Sequence, residues 1–369
     1  MPVIADRPSS VVLVGFGLAG RVFHAPLIDT TPGLLLDAIV TSDPERQATA
    51  AAAYPHAVIY DNPEQAWASG HDVAIIATPN RTHAPFARAA LGSRLHVILD
   101  KPIAGSAAEA QELAELASAN DVLLIPYQNR RWDSDFLTAM AVARDGSIGR
   151  VHRFESRIER MRVTPKPGWK SSADAADLGG MLLDLGAHVV DQALRLMGPV
   201  SAVYASVRTV RVVSGSDDDV TLFLTHTSGA VSQLVVSQIG AFDSPRMTIY
   251  GTTGGLRIDA TDSQEPVLAS GVVPVEGEWG LEPAGTEAAL RVCSLDNVVS
   301  ETTVPLQHGD WPAFYREAAA AVRGHGAPPV LVEDAIANLR VIGAARESGL
   351  ANAVVSLDPP AGHRASPTS

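Results

Sequence analysis

The sequence predicts an α/β protein: a doubly wound parallel sheet in the N-terminal third, then an α+β portion built on a large, mostly antiparallel open sheet. Three observations predict it. Short apolar runs alternate with helical stretches through about the first 125 residues, and a glycine-rich turn follows the first run directly; after Pro126, strands succeed one another across turn signals such as Thr227-Ser228-Gly229. The expected division is residues 1–128, residues 129–355 and a loose tail, 356–369.

The first element, residues 11–14, is a continuous apolar run of the kind buried on both faces of a parallel sheet, and it leads into Gly15-Phe16-Gly17-Leu18-Ala19-Gly20 opening a helix. Residues 34–40 form the second strand at βαβ spacing, followed by an alanine-rich helix after Asp43-Pro44-Glu45-Arg46. Strands at 73–77, 96–99 and 122–125, with a helix over 107–119, complete the first unit. Then come a helix over 135–143, a strand over 151–162, a Pro/Gly/Ser-rich loop over 164–177 and an apolar helix over 180–197. Strands follow at 202–213, 220–227, 230–238 and 247–250, and a late helix, 332–349, is placed to pack on either unit.

Composition narrows the function. The formal charge of −13, from 28 basic and 41 acidic residues without a Lys/Arg run, disfavours nucleic acid or an anionic membrane as partner. The single cysteine, Cys293, has no disulfide partner and no zinc-ligand companion, so a reducing, cytoplasmic setting and no metal are expected. Neither a signal peptide nor a membrane span is expected from the opening ten residues or from any apolar stretch. Only three of the 28 basic residues are lysine: Lys101, Lys166 and Lys170. Lysine is a compact ammonium where arginine is a planar fork, so each raises the question of whether arginine would fail there.

In its strand–turn–helix setting the glycine turn reads as a nucleotide site, the glycines allowing a tight turn and close approach of backbone to pyrophosphate; sheets that bind S-adenosylmethionine use such turns too, so the nucleotide is read from other residues. The second strand ends in Thr41-Ser42, where NAD sites usually carry an acid. That removes repulsion against a 2′-phosphate, with Ser42 and Arg46 as its ligands, and favours NADP; Asp43 restores NAD if the strand ends later. Thr78-Pro79-Asn80-Arg81-Thr82-His83 and Asp100-Lys101-Pro102 follow the third and fourth strands, at the strand ends where such sheets bind ligands. Lys101 either points its ammonium at nicotinamide and substrate oxygen or pairs with Asp100 at a surface turn. In Gly179-Gly180-Met181-Leu182-Leu183-Asp184-Leu185-Gly186-Ala187-His188, Asp184 and His188 share a helix face continued by Asp191 and Arg195. That stripe is either a solvent face or an imidazole base held by a carboxylate.

Together and in order, the glycine turn, the Thr78-Pro79-Asn80 and Asp100-Lys101-Pro102 turns and the GG-x3-D-x3-H helix resemble the Gfo/Idh/MocA oxidoreductases over about residues 10–350. Three longer strings are most similar to its NADP-dependent scyllo-inositol dehydrogenase branch: Gly17-Leu18-Ala19-Gly20-Arg21-Val22-Phe23-His24-Ala25-Pro26-Leu27-Ile28, Tyr127-Gln128-Asn129-Arg130-Arg131-Trp132-Asp133 and Phe154-Glu155-Ser156-Arg157. The chain departs from the family in carrying Asp100 where glutamate is commonest, which keeps the charge and shortens the reach. The resemblance implies a Rossmann domain holding NADP, or NAD, through the glycine turn with Phe16 and Ala19, Thr41, Ser42, Arg46, Thr78, Pro79, Asn80, His83, Asp100, Lys101, Pro102 and Asn129. It implies that Lys101, Asp184 and His188 carry the chemistry and that the open sheet makes a homodimer or homotetramer. Asn129, Arg157, Lys166, Trp169 and Lys170 are its further candidate substrate contacts, the last three on a loop that is either a lid or ordinary solvated chain.

The expected reaction is reversible oxidation of a secondary alcohol on a cyclic polyol or sugar. His188 takes the hydroxyl proton, hydride passes to nicotinamide, Lys101 steadies charge on the oxygen, and Asp184 orients the substrate or His188. Two other functions fit the same family: a non-catalytic NAD(P)-binding regulator, and a glycoside or amino-sugar enzyme that recycles bound NAD(P).

Overall fold

Buried strands in the first unit form a six-stranded parallel sheet in the computed structural model, which describes residues 7–165, 167–211, 215–274 and 279–358. Its strands are β1 (Ser9–Val14), β2 (Leu34–Val40), β3 (Val58–Tyr60), β4 (Val73–Ile76), β5 (His96–Asp100) and β6 (Leu124–Tyr127), in the order β3-β2-β1-β4-β5-β6. The strand order switches sense between β1 and β4, the point where such sheets form a crevice at the carboxyl ends of their strands. Short β3 was not expected; its Val-Ile-Tyr sits at the sheet edge, half in solvent, and shows no long apolar run.

Helices α1 (Ala25–Asp29), α2 (Pro44–Ala53), α3 (Pro63–Trp67), α4 (His83–Gly92) and α5 (Ala107–Ala119) alternate with these strands. Val12 and Val14 of β1 face Ala87 and Leu113 on one side, while Val11 and Leu13 face the other. That second side is completed by chain from far downstream.

The second sheet has nine strands: β7 (Val151–Glu159), β8 (Val200–Arg208), β9 (Asp219–His226), β10 (Val231–Ser237), β11 (Met247–Gly251), β12 (Gly254–Ile258), β13 (Glu287–Cys293), β14 (Val299–Pro305) and β15 (Val355–Ser356). Their order is β14-β13-β12-β11-β7-β10-β9-β8-β15, and only β7 and β10 run parallel. Val220, Leu222 and Leu224 of β9 point inward, while Phe223 between them is exposed, so one face is covered and the other open. The covered face packs on α6 (Ser134–Asp145) and α7 (Ala187–Met197).

Three further helices are α8 (Gln264–Ala269), α9 (Trp311–Val322) and α10 (Val332–Ala351). Helix α9 returns to the first sheet and buries Trp311, Phe314 and Tyr315 beside Leu13 and Ile75. Truncating any of these rings to alanine is expected to cost about 3–5 kcal/mol. Helix α10 touches β8, α7 and α5, so it packs on both units at once. Ser356 of the expected tail is paired in β15 with Ala202, and residues 359–369 lie outside the described residues. No helix among the described residues is long and apolar enough to cross a membrane.

Candidate active site

The crevice begins at the glycine turn. Gly15 sits at φ +99°, where a side chain would strain the backbone, and a Cβ there would lie 2.5 Å from the Ala77 carbonyl oxygen. A Cβ on Gly20 would lie 1.9 Å from the Gly15 oxygen, so the helical stretch can pack on the turn only without one. Gly17 is open: a Cβ there meets only the Arg46 guanidinium, at 3.9 Å. The helix expected here starts as a π-type stretch, Ala19–His24, before tightening into α1. Phe16 is a core residue, edge-on to Tyr54, so only its backbone belongs to the turn.

At the end of β2, Thr41 is buried with its N–H on the Tyr60 carbonyl, and Ser42 is exposed. Asp43 lies beyond the strand and caps α2, accepting from the Glu45 and Arg46 amides at 3.0 and 3.1 Å. Its Oδ1 is thereby taken up by the helix, while Oδ2 lies 3.7 Å from Arg46 Nε.

The two turns that follow β4 and β5 are tied together by His83, which is buried with Nδ1 2.8 Å from the Pro102 carbonyl and Nε2 2.8 Å from that of Thr78. Burial holds this imidazole below its ordinary pKa. His83 and Asn80, expected at the cofactor, also brace these turns: Asn80 Nδ2 donates to the Leu178 carbonyl at 2.8 Å, and Arg81 pairs with Asp177. Both fasten the loop before α7 to the first unit. The shorter Asp100 folds back on its own chain, its Oδ1 accepting the Lys101 amide at 2.7 Å. Burial, the largest influence on it, pushes its carboxyl up, but His24, Lys101 and His83 together hold it below the usual value.

Lys101 does not pair with Asp100 through its ammonium. Its Nζ crosses to the other unit and donates to Asp184, at 2.7 Å to the backbone oxygen and 2.9 Å to Oδ1. Lys170 Nζ donates to the same Oδ1 at 3.0 Å. Burial pushes the Asp184 carboxyl up, yet these two ammonium groups outweigh it and hold the group far below the ordinary carboxylate range. Asp184 therefore anchors two lysines, and of the two roles expected of it, orienting the substrate or His188, it makes no hydrogen bond that would serve the second. The offset has a local cause: residues 182–186 form a π-type turn before α7, which breaks the regular four-residue register between Asp184 and His188.

His188 is buried, and its Nδ1 makes no hydrogen bond. Burial first, then Lys101 and Arg130, holds its pKa well below 6.5, so the ring is neutral at neutral pH. The stripe is no solvent face, because Asp191 is also buried, bridged by Arg131 at 2.7 and 2.8 Å; only Arg195 is exposed. The Gly179-Gly180 pair has a steric reason: Cβ atoms would meet the Trp169 carbonyl at 2.8 Å and the Asp217 carboxylate at 2.1 Å. Asp217 Oδ2 accepts the Leu182 amide there, a cap that no sequence motif marks.

Trp169 lies beside Lys170, with Nζ 5.5 Å from its ring centroid, and it is the Lys170 ammonium that brings this loop to Asp184. Lys166 lies outside the described residues. Asn129 is buried at the turn directly after β6. Arg157 is not brought to this group: it pairs with Glu159 at 3.7 Å and lines a separate cavity of about 840 Å³ with Asp243 and Arg257. Strand alternation explains this, since Phe154 and Ser156 of β7 point into the core and Arg157 away from them. No group of three or more metal-ligating side chains is found among the described residues.

Residues 9–128 match the oxidoreductase family of NAD-binding Rossmann fold, and residues 136–257 match the GFO/IDH/MocA C-terminal domain. Over 350 residues the chain is 32% identical to the uncharacterized oxidoreductase YdgJ of Escherichia coli (strain K12), covering 94% of this chain and 98% of that one. It is 30% identical over 350 residues to the scyllo-inositol 2-dehydrogenase (NADP(+)) IolW of Bacillus subtilis (strain 168), covering 94% and 96%. The solved YPO2259 protein of Yersinia pestis aligns with a TM-score of 0.88 at 31% identity, over 97% of this chain and 99% of that one.

Proposed function

Since the chain belongs to the Gfo/Idh/MocA family of NAD(P)-dependent oxidoreductases, we propose that it interconverts a secondary alcohol and a ketone on a cyclic polyol or sugar of the scyllo-inositol type, with NADP as cofactor. The observation that carries this reading is that Lys101 Nζ crosses to the other unit to bond Asp184, near enough to His188 for its charge to act on that imidazole. The scyllo-inositol activity named for the Bacillus subtilis relative supports the substrate class.

The open backbone at Gly17 fits a pyrophosphate, and when bound the nicotinamide supplies the acceptor or donor of a hydride. The rest falls to the chain's own side chains. Lys101 spends two of its three N–H bonds on Asp184 and keeps one for a substrate oxygen, where it stabilises developing negative charge. Neutral His188 accepts the hydroxyl proton during oxidation and returns it during reduction. Asp184 stays ionised and fixes both lysines, so Lys170 ties the loop at 164–177 to the substrate side of the crevice.

The NADP preference rests on Arg46, whose guanidinium lies over the turn, and on Asp43 being taken up in the cap of α2. Arg46→Ala is expected to weaken NADPH binding about tenfold, as loss of one charge-assisted phosphate contact does, while leaving NADH within twofold. Fluorescence titration with each cofactor measures this. Gly20→Ala, which drives a methyl into the Gly15 carbonyl, is expected to weaken both cofactors together by about tenfold or more.

A homodimer or homotetramer through the open sheet face is part of the reading. Tyr204 and Phe223, exposed there, are register partners on adjacent strands and form an apolar patch. A cytoplasmic setting accords with the lone Cys293.

The test is nicotinamide absorbance on mixing the protein with scyllo-inositol, myo-inositol and several aldoses, each with NADP⁺ and with NAD⁺. Reduction of NADP⁺ by an inositol is the expected result. Cofactor binding without turnover on any of them would point instead to a regulator, and recovery of the protein with nicotinamide already bound to an internally recycled cofactor.

A further inference from the structure

A buried polar cluster lies beneath Lys101 and takes no part in the proposed chemistry. His24, the last residue of the π-type stretch before α1, is wholly buried. Its Nδ1 is 2.7 Å from the Tyr315 hydroxyl of α9, and its ring lies 4.4 Å from that of Tyr127 on β6. Its Nε2 has no hydrogen-bond partner and faces the Asp100 carboxylate on β5, 3.7 Å from Oδ2. The other oxygen of that carboxylate accepts the Lys101 amide. Among the described residues, the ionisable side chains recorded against His24 are Tyr315, Tyr127 and Asp100, and Asp100 is in turn faced by Lys101 and His83.

The tautomer follows from the neighbours. With the Tyr315 hydroxyl donating to Nδ1, the ring proton sits on Nε2 and is directed at the carboxylate. The opposite tautomer would aim a lone pair at a buried anion, an arrangement with no water to relieve it. A buried N–H without a full hydrogen bond is costly, and the attraction to Asp100 offsets that cost.

We propose that His24 is a positioning residue for Lys101: its Nε2–H steadies the Asp100 carboxylate, which holds the Lys101 backbone amide and so fixes where the lysine side chain leaves the turn. Tyr315 sets the tautomer that makes this work, linking α9 to the crevice. The proposal rests on Lys101 acting in the reaction, as argued above, but its first readout does not.

That readout is amide hydrogen exchange at Lys101, followed by mass spectrometry in the full-length protein with and without NADPH. His24→Leu, close in volume but without polar atoms, is expected to speed exchange at Lys101 about tenfold, the scale of one lost hydrogen-bond restraint. With a substrate from the survey above, kcat is expected to fall about tenfold while KM and NADPH affinity stay within twofold. His24→Gln, whose amide can donate to Asp100, is expected to recover most of both losses. Tyr315→Phe keeps the ring packing and serves if His24→Leu fails to fold, with about a threefold rise in Lys101 exchange expected.

Wild-type exchange at Lys101 in both His24→Leu and Tyr315→Phe would overturn the proposal. Equal damage from leucine and glutamine would also overturn it, since that is the signature of packing alone. If the unaltered protein turns over none of the substrates while exchange responds as expected, the functional reading fails and the positioning role stands.

Discussion

Lys101→Ala is expected to lower kcat by roughly a hundredfold or more, about 3 kcal/mol of transition-state stabilisation, with little change in NADPH affinity. In the proposed reaction Lys101 offers a substrate oxygen the ammonium proton that remains after two go to Asp184. Lys170 does not replace it, because it approaches Asp184 from the exposed loop. The same substitution carries a second signature. Lys101 is one of the cations that hold His188 below its ordinary pKa, so its removal raises that pKa, and the imidazole becomes charged at higher pH than in the unaltered protein. An NMR titration of the His188 ring checks the sign without any substrate. An unmoved His188 titration, or kcat within a fewfold of the unaltered protein, would remove Lys101 from this role.

The second large effect is expected from His188→Ala, which removes the proton acceptor and is expected to cost about 10²–10⁴-fold in kcat. Because burial and Lys101 hold the ring neutral, oxidation is expected to persist below pH 6.5 in the unaltered enzyme, falling only as the imidazole finally takes a proton. A rate profile centred on 6.5 would mean that the His188 environment in the working complex is far more polar than the buried pocket in which its Nδ1 lies.

What could be read from the residues depended on how local each signal was. The glycine turn, the lysine after β5 and the aspartate and histidine of the α7 region are each legible because a strand end or helix start places them within a few residues. The partners were not legible. Lys101 and Lys170 converge on Asp184 from separate segments, and the cap that Asp217 provides and the contact between His24 and Asp100 join residues with no shared periodicity. Arg157 was drawn into the site by its motif, yet strand alternation turns it away.

The fold divides the same way. Strand β12 was missed because Gly254-Gly255 opens it, and β14 because its residues are almost all exposed, leaving no buried face to pattern. The return of α9 and α10 to the first unit is tertiary packing, carried by Trp311, Phe314 and Tyr315 on one sheet face and by Ala335 and Leu339 on the other. A linear division of the chain could not display it.

The central claim, that this crevice moves a hydride between a polyol carbon and nicotinamide, is tested most directly by isotope transfer. Scyllo-inositol deuterated at carbon is mixed with NADP⁺ and the protein, and the reduced cofactor is weighed by mass spectrometry. One deuterium in each NADPH formed, with formation lost in Lys101→Ala, is the predicted result; NADPH formed without deuterium, or formed as readily by Lys101→Ala, would contradict the account.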